Sequence, residues 1–99
     1  MGTMAKAVVM PRSDVMTTES TFIGWLKDVG EPVEIGEPLF QVETEKSVLD
    51  IESLYEGVLL ETFAEPGQVY GIGVPIGIIG SPGEKYDREA LLGRKENSE

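Results

Sequence analysis

Short apolar segments divided by Gly and Pro run along the chain at positions 7–10, 21–26, 32–35, 39–43, 48–51, 57–63, 68–70 and 75–79. Segments of this length, with turn residues between them, predict β-strands and an all-β sandwich or flattened barrel. Alternation is plainest at Leu49-Asp50-Ile51-Glu52, which predicts a strand with Leu49 and Ile51 on a buried face and the two acids on a wet one. Phe22, Phe40 and Phe63 are expected in or beside the core, with Trp25 covering a sandwich edge. Only 86–95 has a helical composition, and it carries too few apolar residues to dock firmly. Frayed helix or coil is the expectation there.

The pattern also repeats. Shifting the sequence by 37 positions, the distance from Gly30 to Gly67, lays Ile72 on Ile35, Gly73 on Gly36 and Pro75 on Pro38, with Ile76 on Leu39 and Ile79 on Val42. The same shift takes Phe22 to Leu59 and Leu26 to Phe63. Two similar halves are implied, each with a turn glycine, a short segment ending in Ile-Gly, and a proline opening the next strand. If each half supplies one side of a sandwich, the segments at 39–43 and 48–51 form a hairpin whose turn, Thr44-Glu45-Lys46-Ser47, stands at one end. The chain termini should lie away from it.

Lys46 is a lone cation at that turn, amid Glu43, Glu45, Asp50 and Glu52. An exposed lysine on a rigidly founded tip suits covalent modification, because acylation would turn it into a long neutral tether offered to large partners. The competing reading is an ordinary solubilising charge. Read as metal ligands, the four carboxylates lack an Asp-x-Asp-x-Asp-Gly loop and have Lys46 as a competing charge. As a glycosidase pair they lack the cleft that would hold a sugar between two acids.

Composition narrows the chemistry further. The chain has 99 residues, 40% of them apolar, which allows one domain with a modest core. Its 8 basic and 18 acidic residues give a net charge of -10, which disfavours nucleic acid and anionic membranes and favours partners with basic surfaces. There is no cysteine and no histidine, so a disulfide framework, a thiolate and the usual general base are all missing. Ser13, Ser20, Ser47 and Ser53 have no histidine to activate them, and an exposed Lys46 lacks the desolvated pocket of a nucleophilic lysine. Gly71-Ile72-Gly73 precedes a strand, not a helix, and so marks a turn instead of a phosphate loop. No apolar run approaches the roughly 20 residues that span a bilayer, and no signal peptide is recognisable, so a cytoplasmic location is expected.

In order along the chain stand Met10-Pro11, Gly24-Trp25-Leu26-Lys27, Val29-Gly30-Glu31-Pro32-Val33, Ile35-Gly36-Glu37-Pro38-Leu39, Val42-Glu43-Thr44-Glu45-Lys46-Ser47, Glu52-Ser53, Gly57-Val58-Leu59 and Pro66-Gly67-Gln68-Val69. Together they resemble the lipoyl domain of 2-oxo acid dehydrogenase complex acyltransferases, within the biotinyl/lipoyl-attachment family, over about positions 7–80. The resemblance implies a flattened barrel of two four-stranded antiparallel sheets with quasi-twofold symmetry. It implies lipoate in amide linkage on Lys46, with recognition by Glu43, Thr44, Glu45 and Ser47. Partners would be a thiamine-diphosphate-dependent first enzyme that reductively acylates the arm, an acyltransferase core, a flavoprotein dihydrolipoyl dehydrogenase and a lipoate-attaching enzyme. The chain itself would hold no catalytic residue, the isolated domain would be monomeric, and amide formation would take its formal charge from -10 to -11.

Biotin carriers share that fold but typically flank their lysine with methionines, whereas Glu45 and Ser47 stand here. A biotin carboxyl carrier, a glycine-cleavage carrier and an unmodified β-sandwich interaction module remain the alternatives. The chain departs from the common lipoyl pattern in reading Glu45-Lys46-Ser47 where Asp-Lys-Ala or Asp-Lys-Val is frequent. It also has Ser20 where a glycine is frequent. The loop at 11–19, which in the family lies near the lipoyl turn, does not identify the 2-oxo acid. The expected organisation is a disordered or cloning-derived N-terminus over 1–5, a lipoyl domain over 6–81, and a flexible acidic tail or linker start over 82–99.

Overall fold

A computed structural model describes residues 5–12, 18–86 and 91. Eight strands follow in order: β1 (Lys6–Val9), β2 (Glu19–Trp25), β3 (Pro32–Val33), β4 (Pro38–Glu43), β5 (Val48–Glu52), β6 (Gly57–Thr62), β7 (Val69–Gly71) and β8 (Pro75–Gly80). They pair antiparallel in two four-stranded sheets, ordered β1-β8-β6-β3 and β5-β4-β2-β7. Each predicted apolar segment coincides with one strand. The expectation for 86–95 falls outside the described residues apart from Tyr86 and Leu91, and most of the 11–19 loop does so too. No helix among the described residues is long and apolar enough to cross a membrane.

The repeat is written into the backbone. Under the 37-residue shift, β2, β3 and β4 become β6, β7 and β8, and the first sheet maps onto the second. Hydrogen bonds repeat with it. Gly30 N–H donates to Leu59 O as Gly67 N–H donates to Phe22 O; Leu26 to Leu39 O as Phe63 to Ile76 O; Glu31 to Asp28 O as Gln68 to Glu65 O. Gly30 and Gly67 have φ of 99° and 87°, and Gly36 and Gly73 have 88° and 87°, a left-handed region that side chains other than glycine's strain to occupy. The four identities of the repeat are thus two turn glycines, the isoleucine before the second of them, and the proline that opens the next strand. For β5 and β1 the shift becomes 43 residues: Gly36 donates to Ser53 O as Gly73 does to Met10 O, and Ser53 to Glu37 O as Met10 to Val74 O.

The core lies between the sheets. Phe22, Leu39, Phe40, Val42, Leu59, Ile76 and Ile79 are buried there with Met10 and Val33. Leu49 and Ile51 pack against this cluster while Asp50 and Glu52 are exposed, as the alternation predicts. Phe22 is the aromatic centre, with ring centroids of Trp25 at 5.4 Å, Phe40 at 5.8 Å and Tyr70 at 6.4 Å. Trp25 reaches across to the other sheet, where a Cβ on Gly77 would stand 2.8 Å from its Cη2.

Past the expected boundary at Ser81, the chain folds back. The Glu84 carboxylate accepts the Ser81 N–H at 2.8 Å and the Ala5 N–H at 2.9 Å, and the Tyr86 hydroxyl donates to Glu61. This clasp joins the end of β8 to the start of β1, where the shifts of 37 and 43 put the counterpart of the turn between β4 and β5. β5 runs away from that turn, β6 opens at Gly57 four residues beyond Ser53, and Gly57 lies against Gly80. The described terminal segments therefore meet at the end of the barrel opposite Lys46.

At Gly57, φ is 148° and an added Cβ would lie 2.6 Å from Gly80 O, a backbone atom that cannot swing aside. Gly57→Ala is expected to destabilise the fold by about 1–3 kcal/mol in urea unfolding, while Gly24→Ala, which meets nothing within 4 Å, stays within about 0.5 kcal/mol of wild type.

On the surface, Lys27 Nζ and Glu37 Oε2 are 2.8 Å apart. The hydrogen bond from Lys27, then that from the Glu34 N–H, holds the Glu37 carboxyl below its ordinary range, and the same Lys27 bond raises the lysine. A lowered carboxyl stabilises the fold above its unfolded pKa and loses that contribution as pH falls through the folded value. The raised lysine contributes below its unfolded pKa and loses this as pH rises through the folded one. Glu37→Gln should lower the urea midpoint modestly near neutral pH, less so in high salt. The gap from wild type should close in acid once Glu37 is protonated; a gap unchanged at acid pH would contradict this linkage.

Candidate functional site

Glu43 and Val48 are the last paired residues of β4 and β5, so 44–47 close the hairpin with four residues. Thr44 organises them. Its N–H donates to Ser47 O at 2.9 Å, its hydroxyl donates to the same oxygen at 3.2 Å, and the hydroxyl accepts the N–H groups of Lys46 at 3.2 Å and Ser47 at 3.3 Å. One β-branched side chain thereby uses its donor and acceptor capacity on the turn backbone, the local side-chain bonding that favours Thr at such positions. Beneath it β4 is held on both sides, by β2 and β5. The base of Lys46 is fixed while its side chain is exposed, with no ion pair or hydrogen bond of its ammonium among the described residues.

The structure brings the four residues expected around Lys46 onto this one turn. Glu43, Glu45 and Ser47 are exposed and Thr44 is half-buried beneath them. Asp50 and Glu52 lie further along β5: Asp50 accepts a 2.7 Å hydrogen bond from the Gln41 amide, and Glu52 pairs with Pro38 at the far end of β4. Among the described residues no three His, Cys, Asp or Glu side chains are grouped to hold a metal ion. A free, solvated primary amine on a rigid turn fits an amide-linked prosthetic group.

Sequence reasoning missed what flanks the turn. A shallow depression of about 300 Å³ opens beside it, lined by Glu19, Thr21, Glu43, Glu45 and Val69 together with Ser20 and Thr44. Glu19 and Val69 come from β2 and β7, and only the register Glu19↔Gly71 and Thr21↔Val69 brings them here. Ser20, standing where a glycine was expected, is buried, and its hydroxyl has no partner among the described residues. No local signal marks these flanking residues: the repeat makes β6 the counterpart of β2 and β7 that of β3, in opposite sheets, and does not say that β2 and β7 are neighbours.

Comparison with known proteins agrees with this geometry. The biotin/lipoyl family model, described as "biotin-requiring enzyme", matches residues 6–79. A dihydrolipoyllysine-residue acetyltransferase component of pyruvate dehydrogenase complex from Corynebacterium glutamicum is 43% identical over 81 residues, covering 82% of this chain and 12% of that protein. The corresponding component of the acetoin cleaving system of Bacillus subtilis is 33% identical, covering 88% of this chain and 22% of its own length. The chain thus spans a small part of the relatives it matches. Among solved structures, the lipoyl domain of the 2-oxoglutarate dehydrogenase complex from Azotobacter vinelandii superposes with a TM-score of 0.55 at 26% identity, covering 81% of this chain and 98% of that one. A single-chain long-chain acyl-CoA carboxylase shares the fold, with a TM-score of 0.66 at 17% identity over 82% of this chain and 8% of its own.

Thr44→Val keeps the shape and removes the hydroxyl that ties the turn. The expected outcome is a local loosening worth about 1 kcal/mol, read as faster amide hydrogen exchange at Lys46 and Ser47, with the protected amides of β4 and β8 little changed. Equal acceleration across both sheets would mean that Thr44 serves the fold instead of the turn.

Proposed function

The chain belongs to the biotin/lipoyl family, and from that membership we propose that it is a lipoyl carrier domain, with lipoate in amide linkage on Lys46, serving a 2-oxo acid or acetoin dehydrogenase complex. The observation that carries the reading is the turn itself: an exposed, unpaired lysine at the apex of a hydrogen-bonded hairpin. Relatives named for lipoyllysine components of pyruvate, acetoin and 2-oxoglutarate systems support the same class.

Bound lipoate supplies a dithiolane that takes up electrons and an acyl group at one enzyme and gives them up at others. Everything else asked of this chain is positional. Thr44 holds the base of the arm, so its reach is measured from a fixed point. Glu43 and Glu45 flank the lysine without neutralising it and serve its recognition by a lipoate-attaching enzyme, with Thr44 and Ser47 setting the turn that this enzyme reads. Partners are a thiamine-diphosphate-dependent decarboxylase, an acyltransferase core and a dihydrolipoyl dehydrogenase. Carrying the group on a small domain raises its effective concentration at each of them.

Coexpression with a lipoate-attaching enzyme, followed by intact mass measurement, tests the reading. One lipoyl increment on the wild type, absent from Lys46→Ala and Lys46→Arg, is expected. No increment under conditions that label a control lipoyl domain would overturn it, and a biotin increment would make the chain a biotin carrier.

A further inference from the structure

Where the two sheets meet along β1 and β5, a cavity of about 120 Å³ opens to solvent. Each of these strands ends its own sheet, and no backbone hydrogen bond among the described residues joins one to the other. Val8 and Val9 line the cavity on one side and Ile51 and Leu54 on the other. Leu39 and Phe40, both 1% exposed, form its base. Ile51 falls on Val8 under the shift of 43 residues, so the cavity lies between equivalent strands of the two halves.

Two features go beyond what the barrel needs. Leu54 is 76% exposed and Val9 42% exposed at the mouth, so apolar surface continues outward from the cavity. Glu52 is the one charged residue in the lining, and it makes no ion pair among the described residues.

Size and shape select the occupant. Pockets for cofactors usually run to several hundred Å³, whereas a dry cavity of about 150 Å³ holds one benzene-sized group. The cavity here therefore admits a single aliphatic or aromatic side chain. A helix laid in a groove presents a row of such groups, but an extended strand presents one at a time on alternate residues and can lie along a free strand edge. Charge adds the rest. A residue two positions from the apolar anchor shares its face, and a cation there falls beside Glu52. A second copy of this chain would bring a net charge of -10 against the same charge, which favours a different protein as the partner.

We propose that the seam between β1 and β5 is a docking site for an extended segment of another protein, which seats one apolar side chain in the cavity and a lysine or arginine beside Glu52. The anchor supplies desolvated contact and the cation supplies orientation. The seam is separate from the Lys46 turn. β5 runs from Val48 beside that turn to Glu52, and Leu54 lies beyond its far end. A partner held there leaves Lys46 uncovered, so the inference does not rest on what Lys46 carries.

The test titrates the isotope-labelled full chain, at physiological ionic strength, with the blocked peptide Thr-Lys-Thr-Leu-Thr-Lys-Thr, whose lysines and leucine share one face when extended. Saturable amide shifts at Val8, Val9, Ile51 and Leu54 are expected by about 5 mM peptide. Replacing the leucine by serine should weaken binding about tenfold, and replacing both lysines by glutamate at least as much. Leu54→Ser and Glu52→Lys, both at exposed positions and checked by thermal melting, should each weaken it about fivefold. Val29→Ser, 56% exposed on a turn outside the cavity, should stay within about twofold, as should Lys46→Ala. No saturable shift at the four residues, equal binding of the serine peptide, or an equal loss in Val29→Ser overturns the docking site. Lipoylation is read separately by mass, so its failure overturns the carrier role alone.

Discussion

The barrel depends on one exchange of backbone hydrogen bonds made twice. Phe22 in β2 donates to Gln68 O and accepts from Gly67 N–H, while Leu59 in β6 donates to Glu31 O and accepts from Gly30 N–H. Phe22 and Leu59 are both fully buried, so these bonds lie where water cannot substitute for them. Each exchange ties a central strand to the turn that leads into an edge strand of its own sheet. Because the turn requires a left-handed residue, the position falls to glycine in both halves. The rest of the architecture follows once these two points are held: β3 and β7 are drawn to the sheet edges, and the apolar faces of both sheets are turned inward.

That constraint also decides where an exposed lysine on a rigid turn can sit. A chain folded as two equivalent halves has two equivalent junctions, β4 to β5 and β8 to β1. Only the first is covalently continuous within the described residues. The second is closed by the Glu84 carboxylate, which bridges the Ser81 and Ala5 N–H groups. A tether for a large swinging group needs a base that does not fray, and a hairpin between paired strands provides one. At the other junction, the same mechanical duty would rest on two hydrogen bonds to a single side chain.

How much of this was legible in the letters differs by scale. Strands such as β5 announce themselves by alternation, because one face is wet and the period is two. The repeat was legible through its glycines and prolines, since a left-handed turn leaves almost no other choice. Thr44 was legible as a neighbour of Lys46 but not as the organiser of its turn, because Thr is common at exposed positions and its hydrogen bonds depend on the loop's conformation. The Glu84 clasp was less visible still. It joins residues 79 positions apart through a carboxylate and a backbone N–H, and neither partner leaves a pattern. Glu19 and Val69 flank the lysine only through strand register, which local sequence does not encode.

The acidic surface around Lys46 gives the proposed acylation an electrostatic consequence. Unmodified, the ammonium of Lys46 partly offsets Glu43 and Glu45 across the solvated turn; an amide there would take the formal charge from -10 to -11 and leave those carboxylates facing the solvent without a counter-charge. A basic docking surface is then attracted more strongly to the loaded domain than to the bare one, by an amount that salt screens over about 10 Å. In the proposed role, an enzyme attaching a group at Lys46 would meet the weaker field, and one acting on the attached group the stronger one. In that role the carboxylates beside Lys46 would favour encounter of basic partners with the loaded form, without any residue of the barrel having to move.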